Sequence, residues 1–119
     1  MFSLEFYETA SGDSPPKDFI RGMSAKGKAK FLQIAGLLEE NGPEVRMPYS
    51  RHLEDGIFEV RVIVGNDSSR VLYFFMEGRR IVFTNGFQKK TQKTPRKEIE
   101  TAIRYRADYL KRRKLDEGI

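Results

Sequence analysis

The sequence predicts one α+β domain, residues 1–119, in which an antiparallel β-sheet carries its helices on one face in the order β-α-α-β-β-β-α. Three apolar runs lie at residues 57–64, 71–76 and 81–87, and the links between them are short and contain glycine. Such links favour an antiparallel meander. Segments with helical periodicity come before and after these runs, and 119 residues suffice for one domain with its own core.

The elements before the meander are a strand and two helices. Apolar side chains alternate with others over residues 2–7, which is typical of a strand. Ser14 can cap a short helix that begins at Pro15 and runs to residue 23. A second helix restarts near residue 24, turns one apolar stripe to the core and ends at the Asn-Gly-Pro of residues 41–43.

The remaining elements place charged side chains at one surface. Residues 43–56 are predicted to be irregular. In the strand at residues 57–64, alternation turns the valines to the core and turns Glu59 and Arg61 to the opposite face, which we expect to be open. The last helix is expected to be capped by Thr94 and to begin at Pro95. Its apolar stripe consists of Ile99, Ala102, Ile103 and Leu110.

The charge of the chain is positive and unevenly distributed. The net charge is +5, and residues 86–119 hold 11 of the 22 lysines and arginines but only 5 of the 17 acids. A basic patch of this kind indicates an acidic partner, and a phosphate backbone is the commonest one. The chain has no cysteine, and no apolar run approaches the length of a membrane span or resembles a signal peptide. We therefore expect a cytoplasmic protein with no membrane association.

Four cations are the strongest candidates for a catalytic role. Arg61 lies in the middle of a strand and Arg70 begins the next one, so a hairpin would bring them together. Lys89 and Lys90 directly follow an apolar strand, which anchors them. Arginine binds phosphate in a bidentate manner, so these side chains suit phosphate chemistry. Two simpler interpretations remain open: Arg61 pairs only with a nearby glutamate, and the lysines form a solvated loop.

The other candidates carry weaker signals. His52 is the only histidine, and its ordinary pKa lies near neutrality, so we include it as a candidate general base. Lys93, Arg96, Tyr49 and Arg51 are expected to contact RNA, because basic and aromatic side chains serve phosphates and bases. One histidine and no cysteine leave no metal-ligand pattern, and no phosphate-cradling glycine motif is present, so we expect no metal and no cofactor.

Three segments resemble a known family. Residues 53–61 (LEDGIFEVR) resemble the pattern Leu-x-x-Gly-x-x-Glu-Leu-Arg, and residues 70–74 (RVLYF) resemble an Arg-x-x-Tyr strand. Residues 86–95 (GFQKKTQKTP) resemble the signature Gly-Phe-x-Lys-Lys-Thr-x-Lys-Thr-Pro, which is the most specific of the three. By these motifs the chain resembles HigB-type toxins of the RelE/ParE superfamily, in the branch related to phage-derived proteins.

The resemblance implies the toxin of a type II toxin–antitoxin pair, which acts as a ribosome-dependent mRNA endonuclease without a metal. It implies a helix-turn-helix, HigA-like antitoxin as partner, in a hetero-oligomer, with mRNA and the ribosome as targets. Arg61 and Arg70 match the family's sheet arginines, and Lys89 and Lys90 match its basic pair. Many relatives have a histidine before the Gly-Phe pair, where this chain has Asn85, so no general acid is expected there.

Two other functions stay open at the level of sequence. The ParE branch shares the architecture but inhibits DNA gyrase, so the fold alone does not define the chemistry. A plain nucleic-acid-binding module would also explain the basic surface.

Overall fold

The computed structural model describes residues 1–91 and 93–117, with side chains described as far as residue 115. Its elements are β1 (Ser3–Phe6), α1 (Pro15–Arg21), α2 (Ala25–Asn41), a 3₁₀ turn (Gly42–Glu44), β2 (Ser50–Glu54), β3 (Ile57–Val64), β4 (Asp67–Met76), β5 (Arg80–Gln88) and α3 (Arg96–Glu117). The five strands form one sheet in the order β1-β5-β4-β3-β2. The predicted α+β class is therefore confirmed.

The sheet is mixed, because β1 pairs with β5 in parallel while the other strands are antiparallel. The prediction of a wholly antiparallel sheet is wrong at this one pairing. The strands β1 and β5 are separated by most of the sequence. No local feature of residues 2–7 indicates that they pair with β5. The meander itself is confirmed, with β3, β4 and β5 adjacent in sequence and in space.

The strand β2 lies in the segment that was predicted to be irregular. It forms an edge of the sheet and pairs only with β3 among the described residues, with Arg51 opposite Glu59. Its sequence is SRHLE, in which no apolar alternation appears. An edge strand can carry many charged side chains, and charge on an edge discourages pairing with other molecules. The signal that identifies buried strands is consequently missing from β2.

Helices cover both faces of the sheet, which corrects the prediction that all of them pack on one face. On one face Phe31, Ile34 and Leu38 of α2 pack against a core that includes Tyr73 and Phe83. On the other face, α3 contributes Ala102 to a second core with Ile57, Leu72, Phe74 and Val82. The central strands β4 and β5 are apolar on both sides, so burial of both faces is required.

Two local features set the position of the helices. The second helix begins near residue 24 as predicted, and Ser24 caps α2 by accepting a hydrogen bond from the Gly27 N–H at 3.1 Å. The first helix, α1, ends at Arg21 and not at residue 23. A β-carbon at Gly86 would lie 2.3 Å from the Phe19 ring, so only glycine allows α1 to approach β5 this closely. Gly86 in the basic signature thus serves helix packing.

The entry to α3 differs from the prediction. The helix begins at Arg96, and the Thr94 hydroxyl donates a hydrogen bond to Glu59 Oε1 at 2.7 Å. Thr94 therefore connects the loop to the sheet. An N-cap side chain would instead accept a hydrogen bond from a backbone N–H of the helix. Across the described ranges, no helix has both the length and the apolar character that crossing a membrane requires.

Candidate anion-binding site

A groove lined by cations lies on the α3 face of the sheet. Strands β3 and β4 place Arg61 directly opposite Arg70. Ile63, two residues along β3 on the same face, is 43% exposed, so α3 leaves this part of the face open. The space has a volume of about 470 Å³. We call it the cationic groove, and its lining consists of Arg51, Arg61, Ile63, Ser68, Arg70, Lys89, Lys90 and Thr91.

Arg70 is held firmly at the floor of the cationic groove. It is 2% exposed, and its Nη1 donates hydrogen bonds to Ser68 Oγ at 2.7 Å and to the Ser69 carbonyl at 3.0 Å. Burial lowers the pKa of Arg70, and the charges of Arg61 and Arg51 lower it further, while Glu59 opposes the shift. The guanidinium is therefore a fixed donor in a strongly positive environment.

Arg61 lies at the side of the groove next to the segment before β2. Its Nη1 donates to the Pro48 carbonyl at 3.3 Å and contacts Met47 Sδ at 3.4 Å. Within the described ranges, Arg61 makes no ion pair with Glu59 or Glu77, and its Nε is buried without a hydrogen-bond partner. The interpretation of Arg61 as a simple salt-bridge residue is therefore not realised in this fold.

The lysine loop is attached to the end of the sheet. The Lys89 N–H donates to the Ser68 carbonyl at 2.7 Å, which continues the β4–β5 pairing beyond β5. The pKa of Lys89 is lowered, mainly by burial and then by the charge of Arg70, with smaller effects of Arg51 and Arg61. The ammonium of Lys89 therefore lies within the field of three arginines, whereas Lys90 is exposed at the rim.

Glu59 lies beneath these cations, and sequence reasoning considered it only as a partner for Arg61. Its side chain is 0% exposed. Glu59 Oε2 is 3.0 Å from Arg51 Nη2 and 3.4 Å from Arg70 Nε, and Oε1 accepts the hydrogen bond from Thr94. Strand alternation did place Glu59 on the same face as Arg61. Its actual partners come from β2, β4 and the loop, which no spacing in the sequence relates to β3.

A second groove continues from the first and shares Arg51 and Thr91 with it. Its volume is about 760 Å³, and Lys93 and Arg96 line it. Arg96 forms an ion pair with Glu54, and the hydrogen bond within this pair raises the pKa of Arg96. The structure therefore brings Lys93 and Arg96 beside Arg51, as one basic track leading away from the cationic groove.

His52 and Tyr49 do not join the cationic groove. The His52 ring meets the Phe58 ring edge-on with centroids 4.9 Å apart, and Phe58 packs against the core under α1 and α2. Tyr49 packs against the same core, with Lys30 Nζ 5.9 Å from its ring centroid. His52 borders the second groove only. Both side chains thus lie away from the lining of the cationic groove.

Asn85 supports α3 and lies outside the groove lining. It is 5% exposed, and its Oδ1 accepts from the Thr84 hydroxyl at 2.7 Å. Its Nδ2 donates to Glu98 Oε1 at 3.2 Å and to the Glu98 carbonyl at 3.3 Å. Asn85 therefore joins the last strand to the first turn of α3. In the described part of the chain, no group of three His, Cys, Asp or Glu side chains is arranged to hold a metal ion.

Fold and site together define a small α+β domain with a groove lined by cationic side chains. The sequence matches the family described as phage derived protein Gp49-like (DUF891) over residues 18–107, and the chain belongs to this family. The family is of the RelE/HigB toxin type, is associated with toxin–antitoxin systems, and commonly acts as an endoribonuclease. Membership implies an antitoxin partner. No curated protein matches the sequence.

Proposed function

We propose that this chain is the HigB-like toxin of a type II toxin–antitoxin pair and that it cleaves mRNA on the ribosome. The observation that carries the proposal is the convergence of Arg51, Arg61, Arg70, Lys89 and Lys90 on one groove. These cations come from β2, β3, β4 and the loop after β5, so the fold concentrates positive charge at one point. A phosphodiester is the substrate that such a point favours.

The reaction we propose is attack of a ribose 2′-hydroxyl on its own 3′-phosphate. The bond from O2′ to phosphorus forms, the bond from phosphorus to O5′ breaks, and a 2′,3′-cyclic phosphate and a 5′-hydroxyl result. Negative charge accumulates on the nonbridging oxygens in the transition state, and in this proposal Arg61 and Arg70 stabilise it. The rigid hold on Arg70 supports this role, because a fixed donor needs no reorganisation during the reaction.

Protons must also leave the 2′-hydroxyl and reach O5′. The pKa of Lys89 is lowered by burial and by neighbouring arginines, which suits Lys89 to protonate the leaving oxygen. Lys90 at the rim would contact a neighbouring phosphate. His52 remains a candidate base only if substrate or ribosome reaches the second groove, since its ring packs on Phe58. Alignment of the mRNA by the ribosome would compensate for the small number of side chains that can act as general acid or base.

The remaining basic side chains would hold RNA on either side of the scissile bond. Lys93, Arg96 and Arg51 lie along the second groove and would follow the phosphate backbone. The antitoxin we propose is a helix-turn-helix, HigA-like protein that masks or disorders the cationic groove in a hetero-oligomer. We propose that the protein acts in the cytoplasm, where mRNA is translated on ribosomes.

The decisive experiment is to express the chain alone and to map mRNA ends after induction, with purified protein on programmed ribosomes in parallel. Growth arrest with new ends inside translated messages is expected. Growth arrest with intact messages and gyrase-dependent DNA breaks would replace the proposal with gyrase inhibition. Binding of RNA without cleavage or arrest would indicate a plain binding module.

A further inference from the structure

We propose that Glu59 is a positioning residue that holds the cationic groove in its phosphate-binding geometry. Its buried carboxylate fixes Arg51 and Arg70 relative to each other, and through Thr94 it fastens the lysine loop to the sheet. The inference rests on the proposed function only in the measurement of mRNA cleavage. The order of the arginine side chains tests it separately, and the binding of a simple phosphate shows whether a lower rate reflects lost binding.

The burial of Glu59 is the first argument. A carboxylate that is 0% exposed is unfavourable unless charged and hydrogen-bonding partners surround it. Glu59 has one partner on β2, one on β4 and one in the loop, so a single group connects three separate parts of the groove. Such an arrangement is more than the local pairing of two neighbouring surface charges.

The repulsion among the cations is the second argument. Burial is the main cause that lowers the pKa of Arg70 and of Lys89, and neighbouring arginines lower both further: Arg61 and Arg51 act on Arg70, and Arg70 and Arg51 act on Lys89. With neither a bound anion nor a buried carboxylate beside them, these side chains would move apart. Glu59 lies between Arg51 and Arg70 and holds both at distances of 3.0 Å and 3.4 Å. The groove is therefore already assembled before any phosphate arrives.

The unused hydrogen-bonding groups are the third argument. Glu59 Oε2 is close to both guanidinium groups but meets neither in hydrogen-bond geometry, and Arg61 Nε and Arg70 Nε are buried without partners. Glu59 attracts these cations without consuming their donors. The buried Nε–H groups of Arg61 and Arg70 are therefore unsatisfied in the free protein, so Glu59 contributes charge attraction and not a closed hydrogen-bond network.

The experiment compares Glu59→Gln with Glu40→Gln, which makes the same change of charge at an exposed position on α2. Glutamine keeps the shape of the side chain and an oxygen for Thr94 but removes the charge. We would measure single-turnover cleavage on saturating ribosomes, affinity for inorganic pyrophosphate, and the NMR signals of the arginine Nε–H groups in the free protein.

We expect Glu59→Gln to lower the saturated cleavage rate by about 10²-fold, the effect typical of a misplaced catalytic group. Affinity for pyrophosphate should stay equal or increase, because a negative charge has left a cationic site. The signals of Arg51 and Arg70 should shift or broaden, while those of exposed Arg21 stay unchanged. Glu40→Gln should behave as wild type in each measurement.

A double-mutant cycle separates positioning from a general structural role. If Glu59 acts through Arg51, then Arg51→Gln should cost much less rate in the Glu59→Gln background than in the wild type. Additive effects would overturn the proposal, as would a folded Glu59→Gln protein with normal rate and unchanged arginine signals. If Glu59→Gln does not fold, Thr94→Val removes only the loop contact and should still shift the Lys89 amide signal and lower the rate.

The outcomes also separate this inference from the proposed function. If the wild-type chain cleaves no mRNA, the proposed function fails, and the NMR signals of the arginine Nε–H groups still decide whether Glu59 positions the arginines. If the wild type cleaves and Glu59→Gln cleaves equally well, the function stands and the positioning role is wrong.

Discussion

Arg61 and Arg70 occupy directly opposed positions of the β3–β4 ladder, so two like charges face each other on one side of the sheet. Opposed like charges destabilise a sheet, and Arg70 is in addition almost fully buried. Glu59 offsets part of this repulsion from below. A positive electrostatic potential remains around the two arginines. A bound phosphate would neutralise it, so the repulsion between Arg61 and Arg70 in the free protein favours the binding of an anion.

The first prediction concerns these two arginines. Arg61→Ala and Arg70→Ala should each lower the single-turnover cleavage rate by about 10²–10³-fold, the typical effect of removing one transition-state donor. Arg21→Ala, at an exposed position on α1, should have no effect. Circular dichroism should check folding, particularly for Arg70→Ala, because it leaves Glu59 with one cation fewer. Two folded variants with full activity would show that the arginines are structural.

The second prediction compares two pairs of lysines. Lys89→Gln with Lys90→Gln should lower the cleavage rate even on saturating ribosomes, because the Lys89 backbone is fixed to Ser68. Lys111→Gln with Lys114→Gln removes the same charge from exposed positions near the end of α3 and should mainly weaken binding in a salt-sensitive way. The measurement is the rate as a function of ribosome concentration.

Substitution is preferable to truncation at that end of α3. Arg112 Nε donates to Asp108 Oδ2 at 3.0 Å, and the Tyr7 hydroxyl donates to the same oxygen at 2.5 Å. Removing the end of the helix would therefore disturb packing as well as charge. If the Lys111 and Lys114 variant lowers the saturated rate and the Lys89 and Lys90 variant does not, the assignment of the site is wrong.

The third prediction concerns the pH dependence of anion binding. The pKa of Lys89 is below that of an ordinary lysine, so Lys89 loses its charge earlier as pH rises. Affinity for pyrophosphate should therefore fall with rising pH in the range where ordinary lysines stay protonated. In Lys89→Arg, whose side chain keeps its charge, this step should disappear. Isothermal titration calorimetry at several pH values measures it, and an identical pH profile for both proteins would contradict the prediction.

The fourth prediction concerns stability in alkali. Burial raises the pKa of Tyr73 to about 12, and burial together with Glu5 raises that of Tyr109 to about 12, against an ordinary value of 10.0. Above about pH 10 the unfolded chain releases protons that the folded protein retains, so the free energy of unfolding should fall as pH rises. Each such tyrosine contributes a slope of up to about 1.4 kcal/mol per pH unit.

Urea denaturation at several pH values above neutrality tests this sign. Tyr73→Phe should be less stable at neutral pH, because it loses the hydrogen bond with Ser50, and should show a weaker dependence on pH in the alkaline range. Stability that rises between about pH 10 and pH 12 would show that the tyrosines do not behave as their burial requires.

The fifth prediction concerns Asn85. Asn85→Ala should lower the free energy of unfolding by about 1–3 kcal/mol, because Thr84 and Glu98 lose a buried partner. The saturated cleavage rate should change little under conditions where the protein stays folded. Asn66→Ala, in the exposed turn between β3 and β4, serves as the control. A large loss of rate with unchanged stability would place Asn85 in the reaction.

The local sequence determined the elements that alternate or repeat. The strand at residues 57–64 is found as predicted, and its alternation correctly placed Glu59 and Arg61 on one face. The hairpin also brought Arg70 beside Arg61, since a short link leaves little choice of register. These inferences succeed because side-chain direction along a strand, and the reach of a short turn, depend on neighbouring residues alone.

Tertiary structure decided which separate elements meet. Only the folded sheet shows that β2 exists and turns Arg51 toward Glu59, that α3 covers the second face, and that Thr94 contacts the sheet and does not cap a helix. It also places the His52 ring against Phe58, outside the lining of the cationic groove. The partners of Glu59 lie on other strands and in a distant loop. Their convergence depends on how whole faces are buried, and no single segment of the sequence encodes that choice.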